Sequence, residues 1–493
     1  MNHSQLWVCL HFPALSLETL TRADPGTAAL AIATGSTRPR IVAANLRARS
    51  LGITVGMSVS AAFALAPELI VHPRNPGMET QALAQIAQWA LQFSPLSSLP
   101  AADAVLLEVG AGLSLFGGLD ALLATIRSGL HALGFTAAVC AAPTPTAALM
   151  LARADHAQAV TQIDSLEHVL GCLPVDTLVC DENVLATLAD LGVHRVDALL
   201  QLPRDGLARR FGQALVDALD RALARLPDPQ KPFIAPERFA SRLELPAPVH
   251  EAHALLFGAK RLIAALAGWL AGRGLGVMRL RIELEHEDCA PSRLALNLSV
   301  PSRDPAHLIA LVRARCERIE LPQRVEAIAL AAEETAALAG HNRSLLPGCE
   351  PAAATELCER LAARLGDEAV CALAPHPDHR PECAWRSARQ PLKERALMPP
   401  APRPLWLLAE PRPLNEFLHA AVCAPPFLNA SVQKADRGPL VLLDGPERIE
   451  CGWWEGRDVR RDYFVARAAS GQTLWVFRHP SRDAGWQVHG IFA

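Results

Sequence analysis

The first third of the chain alternates between short apolar runs and longer segments with helical spacing. Residues 6–12, 103–109 and 135–141 are apolar runs of strand length, and residues 119–133 have the spacing of an amphipathic helix. Strands that alternate with helices fold into a sheet with helices packed on it. We also predict a small helical insertion near residues 40–70.

Length and composition limit the class of protein further. A chain of 493 residues suggests about three to four domains. The 47 Lys and Arg residues and 50 Asp and Glu residues leave a net charge of −3. This excludes a uniformly basic protein that coats nucleic acid, but not a local basic groove. Hydrophobic residues make up 51% and charged residues 20%, which excludes wholesale disorder. The expected fold class is α+β and multidomain.

The sequence predicts neither a membrane span nor a metal centre. The twelve cysteines form no CxxC and no zinc-type spacing, which indicates reduced and mostly buried thiols. Residues 128–152 contain no charged residue, but Pro143 and Pro145 interrupt them, so we interpret them as a strand running into a helix. The N-terminus lacks the features of a signal peptide. We expect a cytoplasmic protein with no cofactor, no metal and no membrane contact.

Several segments carry a resemblance to a known family. The order of elements is a strand, a helical insertion ending in Arg-Ser-Leu-Gly-Ile, a second strand and a module of helical hairpins. Together with Leu-Trp-Val-Cys-Leu-His-Phe-Pro-Ala-Leu at 6–15 and Ala-Asn-Leu-Arg-Ala-Arg-Ser-Leu-Gly-Ile at 44–53, this order resembles the Y-family translesion DNA polymerases over about residues 5–335. The runs at 445–454 and 460–466 are similar to those of a polymerase-like subunit of bacterial SOS mutagenesis.

The resemblance implies polymerase-like domains followed by a C-terminal extension that contains β-strands and binds partner proteins. The implied domains are palm-like residues 1–25 and 75–165, fingers-like residues 26–74, a thumb-like helix–hairpin–helix at 166–235, a little-finger-like domain at 236–340, a linker at 341–355 and a C-terminal region at 356–493.

Members of the family that are active polymerases use three carboxylates to hold two divalent cations for nucleotidyl transfer. The matching positions in this chain are Cys9, Asp103 and Ala104, and Leu10 supplies only a backbone carbonyl. Because Mg²⁺ prefers oxygen ligands, a thiol and an alanine leave one usable carboxylate of three. The resemblance therefore implies a polymerase-like protein that is not an enzyme.

Three other interpretations remain open. In the first, the protein is an active translesion polymerase with a rearranged metal site formed by Asp103, Glu108 and Glu18. Cys9 would otherwise be a reactive nucleophile, although a thiol in a buried strand is usually inert. In the third interpretation, the chain is an unrelated DNA-binding module that has the same order of elements by coincidence.

The nucleotide pocket implied by the resemblance is eroded in this sequence. Ala14 stands where the family has its sugar-gate aromatic residue, and Leu46 stands where it has a tyrosine that contacts the triphosphate. Arg49 matches the partner arginine, either as a weak anion contact or as a structural arginine. Residues 143–146 match a lysine-bearing loop and contain no lysine.

The thumb-like and little-finger-like regions are predicted to contact DNA. Glycines in helical hairpins let backbone amides approach a phosphate, and a solvated basic face is the alternative. Residues 236–340 hold 13 basic and 13 acidic residues, so we expect modest and salt-sensitive affinity. The predicted DNA-binding residues are Leu191, Gly192, Val193, Arg195, Arg209, Arg210, Gly212, Arg279, Arg281, Arg293 and Arg303.

The linker contains a candidate docking motif for the sliding clamp, which in the family resembles Gln-x-(Ser/Leu/Asp)-Leu-(Phe/Leu). Residues 342–346 match three of its four defined positions, and asparagine replaces the glutamine. An ordinary turn with two partly buried leucines is the alternative. The predicted clamp-binding residues are Asn342, Ser344, Leu345 and Leu346.

The resemblance also implies two protein partners for the C-terminal region, an ImuA-type RecA-like protein and an error-prone C-family DNA polymerase. Four of the nine tryptophans lie near the end of the chain, either as interface anchors or as the core of a small β-unit: Trp453, Trp454, Trp475 and Trp486. The implied function is a scaffold that recruits an error-prone polymerase for translesion synthesis after DNA damage.

Overall fold

The structure is a computed structural model that divides into two compact units, Met1–Gly366 and Asp367–Ala493. The residues it describes are 5–22, 28–35, 37–249, 255–338, 351–366, 368–388, 402–415, 440–453, 456, 458–480 and 485–492.

The N-terminal part of the first unit contains a four-stranded sheet, a three-stranded sheet and the helices packed on them. In chain order these elements are β1 (Trp7–His11), α1 (Leu15–Thr21), β2 (Leu30–Thr34), β3 (Arg40–Ala44), α2 (Leu46–Ser50), α3 (Val59–Leu65), β4 (Ile70–Pro73), α4 (Pro76–Ala90), β5 (Ser97–Ala101), β6 (Ala104–Glu108), α5 (Leu119–Leu133), β7 (Ala138–Ala142) and α6 (Pro145–Arg153). The strands and the helix predicted from the apolar runs are confirmed.

The four-stranded sheet is antiparallel and has the order β5-β6-β1-β7. Cys9 of β1 lies opposite Leu106 of β6 and Cys140 of β7. Successive side chains along a strand point to opposite faces, so Val8 and Leu10 pack against α4 and α5 while Cys9 packs against α6. The sheet therefore has two buried faces, and Cys9 lies on the face that α6 covers.

The insertion predicted near residues 40–70 contains the helices α2 and α3, as expected, but these helices pack on a three-stranded sheet that the sequence did not predict. β2 lies in the centre, antiparallel to β3 and parallel to β4. Ala31 and Ile41 of this sheet share a core with Ala48 of α2 and Ala62 of α3. The strands were missed because alanine-rich strands have the composition of helices, and the pairing of β2 with β4 is not visible in local sequence.

The next region consists of short helices, as predicted. These are α7 (Leu166–Gly171), α8 (Glu182–Asp190), α9 (Val196–Leu200), α10 (Arg204–Phe211) and α11 (Gln213–Ala222). Their apolar residues, including Leu188 and Leu215, share one core with Cys9 and α6. This helical region therefore belongs to the Cys9 side of the first sheet.

A second four-stranded sheet and three helices complete the first unit: β8 (Ala240–Val249), α12 (Leu255–Arg273), β9 (Leu275–His286), β10 (Ser292–Ser302), α13 (Pro305–Cys316), β11 (Val325–Ala337) and α14 (Pro351–Leu365). The sheet order is β10-β9-β11-β8, and the pairs are antiparallel. The sequence did not predict β8, since Pro246 and Pro248 disguise a strand that lies at the edge of the sheet, where proline is tolerated.

Helix α12 joins the second sheet to the first through a continuous hydrophobic core. It packs against β8, β9 and β11 and also against α4 and α5. Trp89 of α4 fits against Gly129 of α5 and Gly268 of α12, where an added Cβ would lie 2.2 and 2.1 Å from its ring. The two glycines therefore make room for the indole between three helices.

The apolar composition of α12 is also that of a membrane span. Among the described helices it alone passes a length and composition test, with a mean hydropathy of 1.4, and Gly110–Phe116 with Leu119–Leu133 passes only as a bent pair. Within α12, 61% of the most apolar window is buried inside the protein, which is the environment of a core helix. Residues 128–152 form the end of α5, all of β7 and most of α6, which confirms the interpretation as a strand running into a helix.

The second unit is rich in β-structure, as predicted. Its strands are β12 (Ala372–Pro375), β13 (Trp385–Ala388), β14 (Trp406–Pro413), β15 (Val441–Cys451), β16 (Val459–Arg467), β17 (Thr473–Arg478) and β18 (Gln487–Ile491). β12 pairs with β13, and the other five strands form one sheet in the order β14-β18-β17-β16-β15.

Candidate functional site

Cys9 lies in the middle of β1 and its residue has no exposed surface. It shares a core with Leu106, Cys140 and the apolar residues of α6. Burial raises the pKa of the Cys9 thiol far above its usual value, and the nearby negative charge of Asp103 raises it further. A neutral and inaccessible thiol is neither a nucleophile nor a ligand for Mg²⁺.

Asp103 immediately precedes β6 and is held by two basic side chains. Arg153, the last residue of α6, donates from Nη2 to Oδ1 at 3.2 Å and to Oδ2 at 3.4 Å. His11 Nε2 lies 3.4 Å from Asp103 Oδ2. The hydrogen bond from His11 and the positive charge of Arg153 lower the pKa of Asp103 to about 2, although partial burial acts in the opposite direction. The carboxylate is therefore ionised and already paired with a protein cation.

The structure does not bring the other candidate acids to Asp103. Glu108 lies at the far end of β6, opposite Trp7, at roughly 17 Å along the strand from Asp103. Both oxygens of Glu18 accept the backbone N–H of Thr136 at 3.1 Å, and burial raises the pKa of Glu18. Nowhere in the described part of the chain do three His, Cys, Asp or Glu residues lie close enough together to hold a metal ion.

The residues matched to a nucleotide pocket lie at the starts of two short helices. Ala14 precedes α1, and Leu46 is the first residue of α2, where it is 84% exposed. The Asn45 side chain caps α2 by accepting the Ala48 N–H at 2.9 Å, and Arg49 is exposed in the last turn. The Leu46 side chain has no hydrogen-bond donor for a phosphate oxygen. Of the three matched residues Ala14, Leu46 and Arg49, Arg49 carries the positive charge.

The loop matched to the lysine-bearing loop of the family is anchored by its two threonines. Thr144 accepts the Ala147 N–H at 3.2 Å as the cap of α6 and donates to the Ala222 carbonyl at 3.0 Å. Thr146 donates its N–H and its hydroxyl to Asp228 Oδ2 at 2.9 and 2.8 Å. These contacts tie the start of α6 to the end of the helical region.

Two glycines with positive φ form the predicted hairpins. Gly192, at φ +76, follows α8 and the exposed Leu191, and Gly212, at φ +91, joins α10 to α11. No described atom lies within 4 Å of a Cβ built on either glycine, so both turns are open to an approaching phosphate. Arg209 and Arg210 are exposed in the last turn of α10.

The other predicted DNA contacts differ in their surroundings. Val193 is buried, and Arg195 lies 3.3 Å from Asp197. Arg303 is exposed just after β10. Three arginines of the second sheet are paired with glutamates of the same sheet, which lowers the local positive potential. These pairs and their N–O distances are Arg279–Glu334 (3.4 Å), Arg281–Glu333 (3.3 Å) and Arg293–Glu283 (3.0 Å).

The predicted protein-docking residues are only partly described. Asn342, Ser344, Leu345, Leu346 and Trp454 lie outside the described residues. Trp475 is buried against Tyr463, with ring centroids 4.0 Å apart, and Trp486 packs against Phe464. Trp453 is 71% exposed. Trp475 is therefore a core residue of the β-unit, and Trp486 is partly buried against that core. Of these four tryptophans Trp453 is at the surface, as are Trp385 and Trp406 elsewhere in the same unit.

Two residues at this site, His11 and Arg153, were not predicted from the sequence, although His11 lies within the quoted run at 6–15. His11 follows Cys9 by two residues, and that alternation along a strand is the signal that places both on one face. Arg153 lies on α6, which is distant in sequence from β1 and β6, so only the fold brings it to Asp103.

The chain is similar to known proteins over most of its length. Residues 12–153, which include Asp103 and Arg153, match the impB/mucB/samB family. The chain is 28% identical to Protein ImuB from Caulobacter vibrioides strain NA1000 over 472 residues, which cover 90% of this chain and 100% of that protein, and Protein ImuB from a second strain matches equally. These matches confirm the resemblance predicted from the sequence, and the hypothesis of an unrelated DNA-binding module is wrong.

Solved structures of Y-family DNA polymerases are also similar to the chain. A chimera of Dbh and Dpo4 is 18% identical with a TM-score of 0.39, and DinB from Sulfolobus solfataricus is 19% identical with a TM-score of 0.38. Each alignment covers 66% of this chain and 98% of the solved chain.

Proposed function

We propose that the chain, which is similar to Protein ImuB and matches the impB/mucB/samB family over residues 12–153, is a non-catalytic scaffold for translesion DNA synthesis. In this role it binds DNA and the sliding clamp in the bacterial cytoplasm and recruits an error-prone polymerase during the SOS response. The observation that carries the proposal is the pairing of Asp103 with Arg153 beside the buried Cys9.

The absence of catalysis follows from what two-metal chemistry requires. Nucleotidyl transfer needs several carboxylate oxygens directed at two cations a few ångströms apart. Arg153 contacts both oxygens of Asp103, and the fully buried Cys9 and Ala104 offer no oxygen ligand from their side chains. A metal ion would have to displace a guanidinium that already neutralises the carboxylate. The arrangement thus supports a region that binds a template and does not extend a primer.

DNA binding in this account depends on the helical hairpins more than on the second sheet. Gly192 and Gly212 give open turns, and Arg209 and Arg210 add exposed positive charge close to Gly212. In the second sheet, each arginine that is paired with a glutamate must exchange that partner for a phosphate, which reduces the net gain. The expected affinity is therefore modest, and a second attachment is needed to keep the chain on DNA.

The sliding clamp supplies that attachment. Residues 342–346 lie between β11 and α14, and their two adjacent leucines suit an extended peptide that fills an apolar pocket. The C-terminal unit then takes the ImuA-type RecA-like protein and the error-prone C-family polymerase. The exposed Trp453 is its first candidate anchor.

The test is retention of the full chain on primed DNA that carries a loaded sliding clamp. We expect the wild-type chain to be retained and to increase binding of the error-prone polymerase, while Leu345→Ala with Leu346→Ala removes retention. Leu115→Ala, which truncates an exposed leucine elsewhere in the first unit, is the matched control and is retained. Undiminished retention of the motif variant would contradict the proposed docking site.

A further inference from the structure

Helix α14 is oriented with its apolar side toward solvent. Leu357, Leu361 and Leu365 are 55%, 38% and 56% exposed, and their spacing of four residues places them on one face of the helix. Glu359 and Ala363, on the opposite face, are both buried. A helix that packs on a core normally buries its leucines and exposes its glutamates, so this orientation is reversed.

A buried ion pair fixes this orientation. His307 Nε2 of α13 lies 2.7 Å from Glu359 Oε2, and the backbone N–H of Ser299 donates to Glu359 Oε1 at 2.6 Å. The side chains of His307 and Glu359 are 7% and 5% exposed. Rotating α14 to bury the leucines would separate this pair inside the protein, which is strongly unfavourable. The leucine face is therefore held outward by specific contacts on the other side.

The border of the leucine face is positively charged. Arg360 and Arg364 are exposed and follow Leu357 and Leu361 by three residues each, so they line one flank of the three leucines. Glu356 is also exposed, but it lies on the side of this flank away from the leucines, and its charge acts on His307. An apolar stripe with a basic border is complementary to an apolar surface with an acidic border.

The position of α14 in the chain identifies the protein that can reach this face. Only residues 347–350 separate the predicted clamp motif from Pro351, so Leu346 lies within about 18 Å of the start of α14 even when the chain is fully extended. Leu357 and Leu365 lie about 9 and 21 Å along the helix from Pro351. A globular partner bound at residues 342–346 is therefore within reach of all three leucines.

We propose that the leucine face of α14 is a second contact surface for the protein that binds residues 342–346. The inference rests on the proposed function, because it takes that protein to be the sliding clamp. The clamp surface that meets α14 is apolar with an acidic border. Because the tether is short, the second contact forms at a millimolar effective concentration, so even a weak patch raises the overall affinity about tenfold.

The test is the affinity of the full chain for the purified sliding clamp, measured by surface plasmon resonance. Leu357→Asp with Leu361→Asp is expected to weaken binding about tenfold, and Arg360→Glu with Arg364→Glu to weaken it about threefold in low salt. Leu115→Asp is the matched control and leaves the affinity unchanged. Leu357→Ala with Leu361→Ala preserves helix propensity and should reduce the affinity for the clamp by a smaller factor. A loss of affinity in this variant is therefore not caused by unfolding of α14.

The outcomes separate this inference from the proposed function. Wild-type affinity in the leucine variants, with binding abolished in Leu345→Ala plus Leu346→Ala, overturns the second contact and leaves the docking motif intact. Wild-type affinity in the motif variant overturns the docking site itself. If sedimentation shows that the wild-type chain self-associates and the leucine variants do not, while clamp affinity is unchanged, the face binds a second copy of the chain and the inference is wrong.

Discussion

The guanidinium of Arg153 lies 3.2 Å from the carboxylate of Asp103, at the end of the helix that covers Cys9. Asp103 is the residue that the resemblance matches to a metal-binding carboxylate of active polymerases, and here it forms an ion pair between the residue before β6 and the last residue of α6. The neighbouring thiol is enclosed in the core formed by that same helix. The proposed function attributes the absence of catalysis to this arrangement, in which α6 both pairs with Asp103 and covers Cys9.

Replacing Cys9 with aspartate does not restore a metal site, because the new carboxylate lies in a closed apolar core. We expect Cys9→Asp to lower the free energy of unfolding by about 3 kcal/mol or more in urea denaturation, since the new charge would be fully buried and would lie near the like charge of Asp103, whose partner Arg153 is already engaged. Cys9→Ala is the control and costs about 1 kcal/mol. A Cys9→Asp variant as stable as wild type that also binds Mn²⁺ would show that the position is open.

The glycine in α12 that faces Trp89 is required by packing. A methyl group at Gly268 would lie 2.1 Å from the indole, so Gly268→Ala is expected to destabilise the first unit by about 1–3 kcal/mol. Gly206→Ala is the matched control, because Gly206 is exposed on α10 and a Cβ added to it would lie 4.0 Å from the Cβ of Pro203. It should stabilise the chain by about 0.5–1 kcal/mol through helix propensity. Equal effects in thermal unfolding would refute this account of the helix contact.

The arginines near the hairpins and those of the second sheet should respond differently to neutralisation. Arg209→Ala with Arg210→Ala is expected to weaken binding of primed DNA and to reduce the slope of log affinity against log salt by about 1–2. Arg279→Ala with Arg281→Ala should change the slope by less, because both arginines are already paired with glutamates. Fluorescence anisotropy of labelled primed DNA at several salt concentrations gives the affinity and its salt dependence for each variant. A larger effect from the sheet pair would place the main DNA contact there.

Attachment of α14 should weaken as the pH rises. The hydrogen bond to Glu359 raises the pKa of His307 above its ordinary value of 6.5, burial acts against it, and the charges of Glu359, Glu356 and Asp304 add to the increase. Because the folded state favours protonated His307, the contribution to stability is complete below pH 6.5 and is lost as the pH passes through the raised pKa. We expect the amide protection factors of α14 to fall as the pH rises above 6.5.

His307→Gln is the control for this pH effect, since it keeps a hydrogen-bond donor near Glu359 and removes the titration. Its α14 protection factors should vary little over the same pH range. Protection factors of the wild-type helix that do not change with pH would show that the His307–Glu359 pair does not hold α14 in place.

The sequence predicted the elements with clear local patterns and missed those that depend on distant pairing. β1 and α5 follow from apolar runs and periodicity, and the positive φ of Gly192 follows from a glycine between helices. β2 was missed because it is rich in alanine and its parallel partner β4 follows only after two helices, and β8 was missed because its prolines conceal a strand whose partner β11 is far away in sequence. The residues of the candidate site also fall into those that the sequence indicated and those that only the fold brings together. Cys9 and Ala104 were visible by resemblance, whereas Arg153 reaches Asp103 only through tertiary packing.

The most direct test of the account is primer extension by the purified full chain, in Mg²⁺ and then in Mn²⁺, on a primed template with all four deoxynucleotides. The structure predicts no incorporation in either metal, and the same result for Asp103→Ala, because Asp103 is paired with Arg153 and no described acid joins it. Incorporation by the wild-type chain that disappears in Asp103→Ala would contradict the account and establish an active polymerase with a rearranged metal site.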